Sequence, residues 1–309
     1  MPWTADDIPP QAGRTVVITG ANSGIGYEAA RQLAAKGAHV VLACRDQAKG
    51  RGAIESITAA QPSASVELME LDLADLGSIR RFAAAARAAS PALHVLCNNA
   101  GVMAIPHRTT GDGFEMQFGT NHLGHFALTG LLLERLLATP GARVVTVSSG
   151  AHKFGVMHWN DLQGERSYGS WRAYGQSKLA NLLFTYELQR RLVTAHAGLI
   201  SVACHPGYAA TNLQAAGPRM QGSSIGEAVW ELANRLLAQS AAMGALPTLY
   251  AATAPDVQGG DYIGPDGFGE QRGHPKKVRS NARSHDPEAQ RRLWEISEQL
   301  VGVRYDALS

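Results

Sequence analysis

The sequence contains few of the residues that build covalent or metal-held scaffolds. Only three cysteines occur, Cys44, Cys97 and Cys204, and each ends an apolar run. An odd number without ligand spacing predicts buried free thiols in a reducing compartment, and hence a cytoplasmic protein. There are eleven histidines, but nothing completes a ligand set around the nearest pair, His122 and His125. No metal site is therefore expected.

The chain also lacks segments that direct a protein to a membrane. Its first ten residues contain no basic region followed by an apolar one, so we expect no signal peptide. No run of about 18 apolar residues occurs, and we expect no membrane anchor. The net charge of +2 does not point to nucleic acid as a partner. We expect the one basic cluster, from Arg272 to Arg283, to be a solvated loop, with phosphate binding as the alternative.

Apolar runs of strand length alternate with alanine- and leucine-rich helical stretches. With 309 residues, 45% hydrophobic content, no repeat and no linker, the chain is expected to form a single domain, 1–309. Such alternation predicts an α/β fold, a Rossmann-type doubly wound parallel sheet with helices on both faces. The predicted strands are Arg14–Thr19, His39–Ala43, Val66–Leu71, Leu93–Cys97, Arg143–Ser148, Leu199–Cys204 and an edge strand at Asp261–Ile263; the predicted helices lie near 26–36, 46–60, 75–89, 121–138 and 173–195.

The first predicted strand leads into a glycine-rich loop, Thr19–Gly26, and then into a helical stretch, Tyr27–Lys36. Glycines let the backbone approach a ligand closely, and the free N–H groups of a helix N-terminus attract anions. The alternative is a tight turn without a ligand. The strand and helix on either side favour a dinucleotide phosphate site.

Arg45 follows the second predicted strand, 19 positions after Gly26. In dinucleotide folds, an acidic residue near this position holds a ribose hydroxyl, whereas an arginine accepts the 2′-phosphate of NADP. A guanidinium forms bidentate contacts with phosphate. The alternative is a solvated arginine, with Asp46 beside it. We predict that NADP(H) is favoured over NAD(H).

Tyr174 and Lys178 are four residues apart and share one face of a predicted helix. A free tyrosine has a pKa near ~10 and is a poor proton donor at neutral pH. A neighbouring ammonium favours the phenolate, so we expect Lys178 to lower the pKa of Tyr174 and make it a usable acid or base.

These motifs, in this order, resemble the short-chain dehydrogenase/reductase family over nearly the whole chain. Asp72-Leu73 matches the adenine-contacting position, Asn98–Gly101 the motif that steadies the fourth strand, and His205–Gly207 with Thr211 the nicotinamide-side motif. Val41–Asp46, His152-Lys153, His158–Leu162 and Ser177–Phe184 are similar to the retinol-dehydrogenase-like branch. Many branch members carry a membrane anchor, which we do not expect here, and this disfavours a membrane-dissolved retinoid as the substrate.

The resemblance implies an oxidoreductase that moves a hydride between NADP(H) and a ketone, aldehyde or alcohol. Its catalytic positions are Asn121, Ser149, Tyr174 and Lys178. Tyr174 would donate the proton, Ser149 would stabilise the developing alkoxide, and Asn121 would hold a water that relays protons to Lys178. The cofactor-binding residues would be Gly20, Asn22, Ser23, Gly24, Ile25, Gly26, Arg45, Asp72, Leu73, Asn99, Ala100, Gly101, Tyr174, Lys178, Pro206, Gly207 and Thr211.

A long segment, residues 208–246, interrupts the alternation after the sixth predicted strand and is expected to form an apolar substrate lid. Trp159, Tyr168 and Trp171 either line the mouth of the pocket or pack their loop onto the body. Two other functions fit the motifs: a catalytically silent dinucleotide-binding regulator, and a reductase of a carbon–carbon double bond. The sequence leaves open the substrate, the direction of reaction and whether the protein is a homo-oligomer.

Overall fold

The computed structural model describes residues 1–208 and 239–308. They form one eight-stranded sheet with helices packed against it. The strands are β1 (Thr15–Thr19), β2 (His39–Cys44), β3 (Ser65–Glu70), β4 (Val95–Asn98), β5 (Arg143–Val147), β6 (Ile200–Cys204), β7 (Tyr262–Pro265) and β8 (Pro275–Val278). Their order is β3-β2-β1-β4-β5-β6-β7-β8. All neighbours are parallel except β7 and β8, which are antiparallel. The predicted doubly wound α/β fold is confirmed.

Helices cover both faces of this sheet. The longer ones are α1 (Gly24–Ala35), α2 (Gln47–Ala60), α3 (Leu76–Ala89), α4 (Gly124–Leu137), α5 (Ser170–Thr194), α6 (Ala241–Thr253) and α7 (Pro287–Val301). Short helical segments lie at Ala5–Asp7, Met116–Phe118, Gly119–Leu123, Gly150–Lys153, Phe268–Glu270, Ala282–His285 and Asp306–Leu308. Among the described residues, no helix is both long and apolar enough to cross a bilayer.

Strands β1, β2, β4 and β5 divide their side chains between two apolar cores. Along β1, Val16 and Ile18 pack with residues of α1, α2 and α6, whereas Val17 packs with residues of α3, α4, α5 and α7. Alternate side chains of a strand point to opposite faces, so a strand buried on both faces is apolar throughout. This is why the continuous apolar runs of the sequence located the strands within one or two residues.

The end of the sheet differs from the prediction. The strand near Asp261–Ile263 exists as β7, but it is not the edge, because β8 pairs with its outer side. Lys276 and Lys277 of the basic cluster lie on β8, so the prediction of a solvated loop is wrong there. An edge strand needs only one partner strand and can leave its side chains in water, so it has no apolar run to reveal it.

Two helices near the C-terminus were also not predicted. Helix α7 has clear end signals: Pro287 at its start, Asp286 as N-cap accepting from the Glu288 N–H at 2.9 Å, and Gly302 in the left-handed region as C-cap. Helix α6 overlaps the end of the predicted lid. Gly244, Ala245 and Leu246 are buried there, so these three residues belong to the core and not to a lid. The lid's remaining residues lie largely outside those described.

Candidate active site

A cavity of about 520 Å³ opens at the carboxyl ends of β1, β4, β5 and β6. The chain order of the strands reverses between β1 and β4, and ligands of open α/β sheets bind at such a switch point. The cavity brings together most of the predicted site residues: Gly20, Asn22, Ser23, Gly24, Ile25, Gly26, Asn99, Ala100, Gly101, Ser149, Tyr174, Lys178, Pro206 and Gly207.

The floor of the cavity is the loop from β1 to α1. Gly20 and Gly24 have positive φ angles of 68° and 58°, which favour glycine. A Cβ on Gly26 would lie 2.5 Å from Asn99 Nδ2 and 2.6 Å from the Gly20 carbonyl oxygen. Ser23, the N-cap of α1, makes no side-chain capping bond, which leaves the first N–H groups of α1 to an anion. This floor fits a dinucleotide pyrophosphate.

Tyr174 lies in the first turns of α5 and is only 4% exposed. Burial raises the pKa of Tyr174 to about 12, and a hydrogen bond with Ser149 acts in the opposite direction. The Ser149 hydroxyl also accepts from the Ala151 N–H at 3.2 Å, which caps the short helix after β5. The capping role of Ser149 and its contact with Tyr174 therefore coexist.

Lys178 is one turn after Tyr174 and is 3% exposed. Its ammonium donates to the Val147 carbonyl at 3.1 Å and lies 5.8 Å from the centre of the Tyr174 ring. Burial lowers the pKa of Lys178 to about 8. The expectation that Lys178 lowers the pKa of Tyr174 is wrong in this structure, because burial dominates at the phenol. Tyr174 therefore keeps its proton at neutral pH, and its transfer depends on neighbours that stabilise the phenolate, Ser149 and Lys178.

Asn121 does not line the cavity but stands behind it. It lies in a π-helical turn, Gly119–Leu123, a feature often found at functional sites. Its side chain bonds both backbone groups of Val102: Oδ1 accepts from the Val102 N–H at 2.8 Å, and Nδ2 donates to the Val102 carbonyl at 2.9 Å. It also donates to the Ser177 hydroxyl at 2.9 Å. Asn121 thus joins the loop after β4 to the turn that carries Tyr174.

Arg45, Asp72 and Leu73 lie beyond the cavity lining, after β2 and β3. The Arg45 side chain is 74% exposed, and its Nη1 atom is 3.8 Å from a carboxylate oxygen of Asp72. Asp46 is not directed at this region, because its carboxylate caps α2 by accepting from the Lys49 N–H at 3.0 Å. Leu73 is buried. Thr211 lies outside the described residues.

Several residues of the far wall were not predicted. Glu270 reaches Lys153 at 3.1 Å and His205 at 3.2 Å, and these contacts lower the pKa of Glu270 to about 2. Its left-handed backbone, with φ at 59°, is uncommon outside glycine. The sequence signal at this position was the set of glycines around it, Gly267, Gly269 and Gly273.

The three aromatic residues before α5 separate into two groups. Trp171 lines the cavity, and its ring meets that of Tyr174 edge-on at 6.0 Å. Tyr168 instead donates to the Ile105 carbonyl at 2.8 Å, and Trp159 packs under Arg292 at 4.7 Å. Trp171 therefore lies at the mouth of the cavity, whereas Tyr168 and Trp159 hold the loop before α5 against the rest of the protein.

The sequence matches the profile of the short chain dehydrogenase family over residues 14–221. It is 43% identical over 296 residues to retinol dehydrogenase 12 of Mus musculus, covering 95% of this chain and 88% of that protein. It is 42% identical over 298 residues to retinol dehydrogenase 13 of Homo sapiens, covering 94% and 85%.

Solved structures are also similar to this chain. An uncharacterised protein from Mycobacterium paratuberculosis superposes with a TM-score of 0.81 at 46% identity, over 99% of both chains. A short chain dehydrogenase from Shigella flexneri, in complex with NADP, superposes with a TM-score of 0.64 over 83% of this chain and 98% of that one. At 21% identity, the latter shows the fold alone. The chain is an oxidoreductase that belongs to the short chain dehydrogenase family and resembles its retinol dehydrogenases.

Proposed function

We propose that the protein reduces an apolar aldehyde or ketone with NADPH, with Tyr174 as the proton donor. The observation that carries this proposal is the pairing of the buried Tyr174 phenol with Ser149 at the wall of the cavity. The nicotinamide supplies the hydride when it is bound. Tyr174 gives its proton to the carbonyl oxygen, and the Ser149 hydroxyl stabilises negative charge as it develops there.

Lys178 supports this chemistry as a buried cation. Its ammonium lies beside Gly101 and Val147 at the wall of the cavity. In that position it favours negative charge on the reacting oxygen and provides a donor for a ribose hydroxyl of the cofactor. Asn121 fixes the loop and the turn on which these groups stand.

The preference for NADPH is supported by the two residues after β2. The Arg45 guanidinium is exposed at the carboxyl end of β2, where dinucleotide folds bind the 2′-phosphate of NADP. Asp46, the acid that would instead accept from a ribose hydroxyl, already caps α2. Asp72 balances only part of the charge of Arg45 in this exposed region.

The preference for an apolar substrate is supported by the cavity wall near Tyr174. Met103, Val147, Phe154 and Trp171 line it, and apolar walls with a few polar groups are typical of sites for small apolar ligands. The relatives named retinol dehydrogenases support the inclusion of a retinoid among the substrates to be tested.

The test is the oxidation of NADPH by the purified protein with decanal, all-trans-retinal, cyclohexanone and pyruvate, each repeated with NADH. We expect turnover with the first three and little with pyruvate, whose carboxylate has no partner on the apolar wall. Absence of turnover with all four carbonyl compounds would favour a silent dinucleotide-binding regulator. Faster turnover of pyruvate than of decanal would contradict the apolar site.

A further inference from the structure

His125 lies on the first turn of α4 and is 1% exposed. Its two ring nitrogens contact two separate elements of the site. Nε2 is 2.9 Å from the Thr19 hydroxyl oxygen, at the end of β1, and Nδ1 is 3.0 Å from the main-chain carbonyl oxygen of Asn121. Neither contact is needed to form α4, so the function of this buried polar side chain must be sought in what it joins.

The direction of each hydrogen bond follows from the capacity of the Thr19 hydroxyl. Its oxygen accepts from the N–H groups of Asn99 and Ala100, both at 2.9 Å. A hydroxyl has two lone pairs and one hydrogen, so the hydrogen remains for donation. His125 Nε2 at 2.9 Å is a nearer acceptor than the Cys97 carbonyl at 3.4 Å. Nε2 therefore accepts, and the ring carries its proton on Nδ1.

The other end of the ring gives the same assignment independently. A carbonyl oxygen can only accept, so the bond to Asn121 requires a proton on Nδ1. Burial lowers the pKa of His125 to about 4, so the ring is neutral and keeps its accepting nitrogen at neutral pH. One tautomer satisfies both contacts.

We propose that His125 is a positioning residue that holds the cofactor floor and the catalytic turn in a fixed relation. On one side, the Thr19 hydroxyl fixes Asn99 and Ala100, which line the cavity. On the other side, Asn121 donates to the Ser177 hydroxyl, which donates to the Tyr174 carbonyl at 2.8 Å. The ring is the link between these two sets of bonds.

Two substitutions of His125 separate the two contacts, and a third removes both. His125→Asn places an amide near the position of Nδ1, where it can donate to Asn121 but cannot reach Thr19. His125→Gln places an amide oxygen near the position of Nε2, where it can accept from Thr19. His125→Phe keeps the ring and removes both bonds. The matched control is His122→Phe, since His122 is an equally buried histidine three residues earlier whose Nε2 bonds Ser297 at 2.8 Å, away from the cavity.

The measurements are the Kd of NADPH by fluorescence titration, kcat with decanal and the melting temperature. His125→Phe should raise Kd about 10-fold and lower kcat about 10- to 100-fold, the loss expected for one or two buried hydrogen bonds. His125→Asn should raise Kd while kcat stays within about threefold, and His125→Gln should do the reverse. His122→Phe should lower the melting temperature as much as His125→Phe and leave Kd and kcat within about threefold.

The inference is overturned if His125→Phe changes Kd and kcat no more than His122→Phe does. It is also overturned if the Asn and Gln variants change both quantities in the same proportion. Should the Phe variant not fold, the Asn and Gln pair decides, because each removes only one bond. The inference rests on the proposed function, but the two can fail separately: no turnover by the unmodified protein contradicts the function, whereas the Kd measurements still test the link to Thr19.

Discussion

The two ends of the nucleotide-binding region differ sharply in exposure. At the inner end, Tyr174 and Lys178 are almost wholly buried, and burial raises the pKa of Tyr174 to about 12 and lowers the pKa of Lys178 to about 8. At the outer end, Arg45 is 74% exposed and is paired with Asp72 across 3.8 Å. Under the proposed function, the inner end would set the chemistry through packing, and the outer end would set the choice of cofactor through charges that solvent screens.

Removal of the phenol hydroxyl should have the largest effect. Tyr174→Phe should lower kcat by about 10²- to 10⁴-fold, the usual contribution of a general acid, because it keeps the ring and removes the proton. The Kd of NADPH should stay near the unmodified value, since the phosphate floor is untouched. Steady-state rates within tenfold of the unmodified protein would contradict the assignment.

A charge change at the outer end should alter cofactor preference and leave the chemistry intact. Arg45→Asp replaces an attraction for the 2′-phosphate by repulsion, worth ~2–4 kcal/mol, or about 30- to 1000-fold in the ratio of NADPH to NADH affinity. The value of kcat with saturating cofactor should change little. Arg51, an exposed arginine on α2, provides the matched control as Arg51→Asp. An equal change in both variants would mean that only net charge matters.

The inner end should also determine the pH dependence of the rate. The pKa of Lys178 is lowered to about 8, so the ammonium predominates below that pH and is lost above it. The rate of reduction should fall about tenfold per pH unit well above pH 8, while the phenol stays protonated. Lys178→Arg, which cannot lose its charge in this range, should flatten the profile of whatever activity remains. A flat profile in the unmodified protein would show that the Lys178 charge is not required.

The smallest effect is expected at the mouth of the cavity. Trp171→Ala removes one apolar wall and should raise KM for decanal about 3- to 10-fold, with little change for cyclohexanone. Trp159→Ala is the control, because Trp159 contacts Arg292 and not the cavity. A uniform rise for both substrates, with a lower melting temperature, would identify Trp171 as a packing residue.

The sequence predicted the parts of the site that depend on local backbone demands. Gly20, Gly24 and Gly26 are needed where the backbone turns or comes within contact distance of Asn99, and such demands leave a pattern of glycines. The Tyr174 and Lys178 spacing likewise follows from helical periodicity. The strands were found because burial on both faces requires continuous apolar runs.

Features that depend on tertiary surroundings were not predicted. The pKa of Tyr174 was expected to fall, but the amount of apolar structure around it cannot be read from a four-residue spacing. The contact of Glu270 with His205 joins residues 65 positions apart, and no local sequence pattern predicts such a contact. The antiparallel strand β8 was missed because it is short and its two central residues, Lys276 and Lys277, are charged and exposed.

The same polar strand has a consequence for the behaviour of the protein at high concentration. An edge strand presents unpaired backbone groups that can recruit the edge of another molecule and start aggregation. Strand β8 begins with Pro275, which has no N–H, and exposes Lys276 and Lys277, while the opposite edge, β3, carries Glu67 and Glu70. Pro275 and the like charges at each edge therefore disfavour the pairing of that edge with the same edge of a second molecule.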